Sequence, residues 1–322
     1  MSARDPRFAA ALGKAVRGVV TQGVPLARYS TYRIGGPATV FLAASPEDLA
    51  AGLCHARRAG VPVFALGLGS NVLLPDAGLD ALVIRFGKGL DGVRSEGARW
   101  WLGAGLPAPL AARRTAEQGW AGVHLMVGVP GTVGGGVFMN AGCHGGQWSD
   151  VVQAITVLGV RSQEPGVRVI PAREIPFSYR RSGLEGMLVL EAEVLLRPGD
   201  PAELGAEVQR LFAWRQVGTP FNQPCCGSVF KNPAEPAPAG WERPWTAGSL
   251  LEAAGLKGMR VGGAEVSRLH ANYFVNSGSA TAQDVIALIR RAREVVGQQF
   301  AVALETEVKL IGVQGEYLSS DQ

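Results

Sequence analysis

"GVPGTVGGGVFMNAG", residues 128–142, holds six glycines, one proline and no charged side chain. No Asp, Glu, Lys or Arg occurs from Gln118 to Ser149. Three structures suit such a stretch: a membrane span, a buried glycine-rich crossing, or backbone laid against a large ligand. The first fails. A span needs about 20 mainly apolar residues in one helix. Here Pro130 and Gly134-Gly135-Gly136 interrupt the run, and His124, Asn140, His144 and Gln147 would be costly in lipid.

The remainder of the chain narrows the choice. The N-terminal "MSARDPRFAAALGK" mixes both charge signs and lacks an apolar core of signal length, so a cytoplasmic location is expected. A length of 322 residues suggests roughly two domains. With 47% apolar residues there is enough to build cores, so the 44 glycines and 20 prolines read as turns rather than disorder. The net charge of +4 comes from scattered arginines without a basic run, which favours an anionic small molecule over nucleic acid. The four cysteines (Cys54, Cys143, Cys225, Cys226) form neither a disulfide framework nor a zinc spacing, and no metal site is expected.

The first third alternates strands and helices. "ATVFLAA" reads as a strand, and "SPEDLAAGLCHARRAG" as a helix capped by Ser45, with Pro46 in its first turn and Gly60 at its end. "VPVFALG", "ALVIRF" and "ARWWLGAG" come next as strands, and strand signals dominate from about 151 to 197. A helix from Pro201 to about Arg215 leads into a different region, where the proline-rich residues 232–245 read as a surface loop. Thr281 and Asp284 make a capping-box start for a helix carrying Val285, Ile289, Ala292 and Val296 on one face. The polar tail after Gly312 is expected to fray.

"VFALGLGSNVLL", residues 63–74, imitates the dinucleotide fingerprint but places Val72 where the third glycine belongs, and the residues after the turn resemble a strand. No GK[ST] succeeds a glycine-rich loop, so the phosphate loop of nucleotide hydrolases is absent. Two glycine-rich turns about sixty residues apart each add small donors, Ser70 and Asn71 in one, Thr132 and Asn140 in the other. Glycines let amides approach a phosphate, and charge-free walls suit a flat aromatic ring system. A buried structural crossing explains the composition but not the repeated donors.

Together "TYRIGGPA", "LGLGSNVLL" and "GVPGTVGGGVFMNAG" resemble the flavin-binding region of the UDP-N-acetylenolpyruvoylglucosamine reductases. The likeness continues in order through "IPFSYRRS", "GSVFKNP", "AGLKGMRVGGAEVSRLHANYFVN" and "LETEV", from about Thr31 to Gly312. It implies an α+β chain: a two-lobed FAD-binding domain of the vanillyl-alcohol-oxidase/PCMH type over residues 1–199 (lobes roughly 1–88 and 89–199). A smaller α/β substrate-binding domain over 200–312 and a tail at 313–322 complete it. Gly67, Gly69, Ser70, Asn71, Gly128, Gly131, Thr132, Gly134, Gly135, Asn140, Ala141 and Gly142 would contact non-covalent FAD. NADPH would be the reductant and a UDP-sugar the substrate, with no nucleic acid, membrane span or obligate protein partner implied.

The reaction of that family adds hydride to the terminal carbon of an enolpyruvyl double bond and a proton to the carbon beside the carboxylate. It needs a cation, a proton donor and a hydrogen-bonding acid. Arg180, Ser228 and Glu307 match the family's residues for these roles. Without the resemblance, Arg180 and Arg181 are nearly equal candidates, Ser228 is a turn serine, and Glu307 lies on a solvated strand face. In "AVALETEVKL" strand alternation puts Glu305, Glu307 and Lys309 on one face, the two carboxylates about 7 Å apart and able to raise one another's pKa if both are shielded. Cys226 lacks an adjacent base and reads as packing. Lys231, Asn232, His270 and Asn272 are expected to line the substrate pocket, His270, Asn272 and Asn276 by the same alternation; His270 has no second ligand at a metal spacing. About 47 residues separate Arg180 from Ser228, leaving no insertion for the tyrosine lid of one family branch, so this chain resembles the shorter branch. Two other classes compete: a flavin oxidase of the same fold acting on an alcohol or sugar, and a non-catalytic flavin-binding module. The C-terminal Ser and Glu disfavour both.

Overall fold

A computed structural model describes residues 1–160 and 166–318. The chain divides into two compact units, one of Met1–Val24, Ala38–Leu68 and Asp80–Arg215, the other of Pro25–Pro37, Gly69–Leu79 and the chain from Gln216 onward.

In the first unit, strands Pro37–Ala43, Leu82–Phe86 and Val63–Ala65 pair in parallel, and Val19–Pro25 borders Pro37–Ala43. Helix Pro46–Arg58 makes the crossover that parallel pairing requires. It starts where Ser45 Oγ accepts the Asp48 amide at 3.2 Å, and Gly60 takes φ +65° just beyond its end. Its Leu49, Leu53 and Ala56 pack with Phe41 and Ile84, as do Phe8 and Leu12 of helix Pro6–Ala15. That N-terminal helix, capped by Asp5, has no counterpart among the elements expected from sequence.

A second sheet of the same unit is antiparallel, in the order Val167–Pro171, Val152–Gly159, Met187–Leu195, Arg99–Gly103, Val93–Glu96. Its inward Trp100, Leu102, Ile155, Val157, Ala192 and Val194 pack with helix Ala108–Glu117 and with residues 133–137. Leu204 and Val208 of helix Pro201–Gly218 join this core, so that helix belongs to the first unit as far as Arg215.

The glycine run itself is helical. Residues Val133–Phe138 form a short helix capped by Thr132, whose Oγ1 accepts the Gly135 amide at 3.2 Å. Each glycine opposes helix by about 1 kcal/mol relative to Ala, so some contact must require them. A Cβ on Gly134 would lie 2.8 Å from Ala104 Cβ, and one on Gly136 would collide with Trp148 Nε1. The expected glycine-rich turn is a helix pressed between a strand end and a buried indole.

In the second unit, strands Arg260–Val261, Ala264–Val266 and Phe274–Asn276 form an antiparallel sheet. Helix Ala282–Phe300 buries Val285, Leu288, Ile289, Ala292 and Val296, and both arms of the Thr281–Asp284 capping box are made. Strand Lys309–Ile311 pairs in parallel with Val72–Leu73 and antiparallel with Tyr317–Leu318. The tail is therefore ordered at least to Leu318; residues 319–322 lie outside the described range. The strand expected over "AVALETEVKL" contracts to a bridge at Thr306 and the strand Lys309–Ile311. Residues 232–245 carry no regular element, as their prolines require. Among the described residues no helix is long and apolar enough to cross a membrane.

Two alanine substitutions test the close approach. Gly136→Ala is expected to lower the unfolding free energy by about 1–3 kcal/mol through overpacking. Gly13→Ala, in helix Pro6–Ala15 with nothing within 4 Å of the added carbon, is expected to raise it, by up to about 1 kcal/mol. Urea unfolding measures both, and equal shifts would contradict the packing account.

Candidate functional site

The glycine helix leads into a small hairpin in which Gly142 and Cys143 pair with Gln147 and Gly146. Asn140, 1% exposed and at φ +41°, sits at its root. Asn tolerates this left-handed conformation better than most residues. Its Nδ2 donates to Ser178 O (3.0 Å) and to Gln147 Oε1 (3.3 Å), and its Oδ1 accepts the Ser149 amide (2.9 Å).

Ser178 opens the turn that carries Arg180. Ser178 and Arg181 exchange both backbone hydrogen bonds (2.9 and 3.1 Å), leaving Tyr179 and Arg180 at the tip. Arg180 takes φ +57°, a conformation that costs a side-chain-bearing residue about 1–2 kcal/mol. Its Nη2 donates to Gly142 O at 3.1 Å. Arg181 points outward, 71% exposed, with Glu185 4.0 Å away. Of the two arginines, Arg180 is the one tied to the glycine segment.

The structure separates the expected cofactor residues by what constrains them. A Cβ on Gly67 would meet Thr132 Oγ1 at 2.9 Å, so these two positions lie together. Gly131 takes φ +146° and Gly69, in the second unit, φ +62°. Gly135 is exposed, and a Cβ there would meet only Thr132 Oγ1, at 3.5 Å. A Cβ on Gly128 would instead meet His144 Nε2 at 2.9 Å and Cys143 Sγ at 3.3 Å, and one on Gly142 would meet Gly146 O at 2.5 Å; packing accounts for both. Ala141 supplies backbone bonds to Gly136 and Trp148. A charge-free loop that is buried at Gly134 and Gly136 but bare at Gly135 fits a large uncharged ring system or a phosphate met by backbone.

His124, ahead of the glycine segment in sequence, is 5% exposed. Its Nδ1 accepts the Gly122 amide at 2.8 Å, which fixes the ring proton on Nε2, facing Glu207 Oε2 at 3.2 Å. Burial lowers its pKa, against the opposing pull of Glu207.

In the second unit Gly227 takes φ +71° and Ser228 comes next, half-buried. Val229 is the pivot: its amide donates to Asn272 O (2.8 Å), and its carbonyl accepts the amides of Glu307 (2.7 Å) and Val308 (3.3 Å). Ser228 and Glu307 thus lie on adjoining strips of backbone, with Phe230 bridged to Thr306. Asn71 Nδ2 donates to Glu307 O at 3.3 Å, and Asn71 O accepts the Lys309 amide, so Asn71 braces the same strip. Ser70, next to it, is half-buried.

The expected pocket residues make contacts of their own within the second unit. Asn272, 4% exposed, clasps Phe230 through Oδ1 (2.9 Å) and Nδ2 (2.8 Å). Asn276 Nδ2 donates to Tyr32 O, and its Oδ1 accepts the amides of Gly278 and Ala280. Asn232 Oδ1 accepts the amide of Ala247, the first residue of helix Ala247–Ala253. His270 Nδ1 accepts the Asn272 amide at 3.2 Å, and its ring meets Tyr273 edge-on. His270 and Asn272 lie in a turn before strand Phe274–Asn276, so strand alternation does not group them. Lys231, its side chain 14% exposed, pairs with Glu305 at 2.5 Å, and Glu305 is 72% exposed. That exposure and pairing remove the shielded Glu305–Glu307 couple expected from the spacing. Burial pushes the Cys226 thiol up to about 12, and it donates to Val72 O at 3.1 Å, which suits packing and not nucleophilic attack. Among the described residues no group of three His, Cys, Asp or Glu could hold a metal ion.

Comparison with known proteins places this geometry. The family model for the UDP-N-acetylenolpyruvoylglucosamine reductase C-terminal domain matches residues 219–311, and a model of the FAD binding domain matches residues 37–160. A UDP-N-acetylenolpyruvoylglucosamine reductase of Synechococcus sp. (strain JA-3-3Ab) is 43% identical over 92% of each chain. One from Rubrobacter xylanophilus is 42% identical over 89% of this chain and 94% of its own. The crystal structure of the corresponding Thermus caldophilus reductase superposes with a TM-score of 0.74 at 33% identity, covering 91% of this chain and 99% of that one. Glucooligosaccharide oxidase of Acremonium strictum, at 16% identity and a TM-score of 0.50 over 92% of this chain and 59% of its own, shares the fold alone.

Two measurements test the local physics. Arg180→Gly is expected to be more stable than Arg180→Ala by about 1 kcal/mol, because only glycine relieves the left-handed backbone; equal urea midpoints would show no strain there. For His124, the folded pKa lies below the unfolded one, so its contribution is full above about 6.5 and lost as pH falls. Stability should drop as pH falls below about 6.5, and His124→Gln, which lacks a titrating ring, should flatten that slope. Parallel slopes would exclude His124 as the source.

Proposed function

The chain belongs to the UDP-N-acetylenolpyruvoylglucosamine reductase family, and from that premise we propose that it reduces the enolpyruvyl double bond of UDP-N-acetylglucosamine enolpyruvate to give UDP-N-acetylmuramate, a peptidoglycan precursor, with NADPH as reductant. FAD, when bound, would supply the hydride-transfer chemistry between NADPH and the terminal carbon of the double bond. In the first unit Gly67, Gly131 and Thr132, with the exposed Gly135 beside them, would hold FAD. UDP-sugar contacts are also assigned to the second unit, whose longest segment begins after Arg215.

Three side chains carry the remaining work. The Arg180 guanidinium holds the substrate carboxylate and the negative charge that spreads from it during reduction, a task suited to a planar fork of donors. Ser228 Oγ gives its proton to the carbon beside that carboxylate. Glu307 in its acid form donates a hydrogen bond to the charged intermediate. The observation that carries the proposal is the shared anchoring of Ser228 and Glu307 on Val229, in a chain 43% identical to a reductase of this family along 92% of its length. Lys231 and His270, whose positions flank that strip, are assigned to the UDP-sugar; Asn232 and Asn272 serve by holding backbone.

Ser228→Ala separates the two half-reactions. Anaerobic bleaching by NADPH needs no proton at the substrate carbon and should proceed at nearly the normal rate. Recovery of colour on adding the enolpyruvyl UDP-sugar should slow at least ~10²-fold, the lower range for losing a positioned general acid. Wild-type product formed in D₂O should carry deuterium beside the carboxylate. Unchanged recovery in the variant would reduce Ser228 to a turn residue.

A further inference from the structure

Arg180 stands in a backbone conformation that its own side chain disfavours, so something outside the turn must hold it. Three hydrogen bonds join residues 178–182 to residues 138–142. Asn140 Nδ2 grips Ser178 O at the turn's first residue (3.0 Å), and Ser182 Oγ, 1% exposed, donates to Phe138 O (2.6 Å) just beyond its last. The guanidinium contact to Gly142 O lies between them. All three ties end on the glycine helix or the hairpin that leaves it. Asn140 has no donor left for a cofactor, since both amide hydrogens are used, on Ser178 and Gln147.

We infer that Asn140 and Ser182 are positioning residues for Arg180, a two-point clasp that keeps its left-handed backbone and so aims its guanidinium. This rests on the role given to Arg180 above. It assigns Asn140 to the arginine turn and withdraws it from the flavin contacts expected from its motif. A carboxylate-binding guanidinium works only within a narrow range of placement, so loosening the clasp should act on the step that involves substrate carboxylate and spare the step that does not.

A double-mutant cycle on the two half-reactions tests it, using the FAD-loaded protein and UDP-N-acetylglucosamine enolpyruvate. Asn140→Ala should slow single-turnover recovery of the flavin at least ~10-fold while leaving NADPH bleaching within ~2-fold of normal. In an Arg180→Ala background the same change should cost less than ~2-fold further, because the group it positions is gone. Ser182→Ala should show the same pattern in milder form, and it decides the matter should Asn140→Ala purify without flavin. Independently of activity, amide hydrogen exchange over residues 178–182 should rise at least ~10-fold in Asn140→Ala. Losses that multiply in the double variant, or unchanged exchange, would overturn the clasp and leave Arg180's role standing. Normal recovery in Arg180→Ala alone would overturn that role, and the clasp with it.

Discussion

Close contact between main chain and its neighbours at Gly134 and Gly136 is the constraint on which the first unit depends. With no Cβ at either position, the helix Val133–Phe138 lies against Ala104 on one side and Trp148 on the other. Any larger residue moves the helix, and with it the Gly142 carbonyl that Arg180 holds and the Phe138 carbonyl that Ser182 holds. Interiors are packed too densely to absorb such a shift locally. The glycines therefore act twice, by permitting the helix to dock and by fixing the backbone oxygens on which the arginine turn hangs.

A second theme is the use of side-chain amides and carboxylates as substitutes for backbone. Ser228 and Arg180 both stand on irregular chain, where buried amides have no ladder to join and must still be satisfied. Asn272 clasps Phe230 as a neighbouring strand would; Asn276 gathers Tyr32, Gly278 and Ala280; and Asp48 accepts the amides of Arg17, Gly18 and Ala44. Each is a short polar residue buried in a place where a strand or helix would have supplied its own partners.

This division explains what can be read in the sequence. Ser45, Pro46, Thr281 and Asp284 advertise helix starts because capping is decided within four residues, and the structure makes each of those bonds. Arg180, Ser228 and Glu307 are legible only as positions in a family motif, since nothing local distinguishes Arg180 from Arg181. The helicity of the glycine run is hidden because its cause, Ala104 and Trp148, lies outside the run. Asn272 and Asn276 pass for pocket lining for the same reason: alternation presumes a strand, and the partners Phe230 and Tyr32 are 42 and 244 positions distant. Local signals survive in sequence; the obligations of a buried amide do not.

The second unit is assembled from pieces made at very different times. Tyr32, Ile34 and Leu73 belong to its core, yet most of that core begins only at Cys226. Asn71 must wait 236 positions for the Glu307 carbonyl it holds, which at ordinary synthesis speeds is roughly ten to fifty seconds on the ribosome. Closing a loop of that size also carries an entropic cost of ~5 kcal/mol before any contact is gained. The first unit can collapse as it emerges, while two apolar strips of its companion stay unmatched until the chain is nearly complete. During that interval the nascent protein offers chaperones and aggregation partners the same surfaces that later seal around Val229.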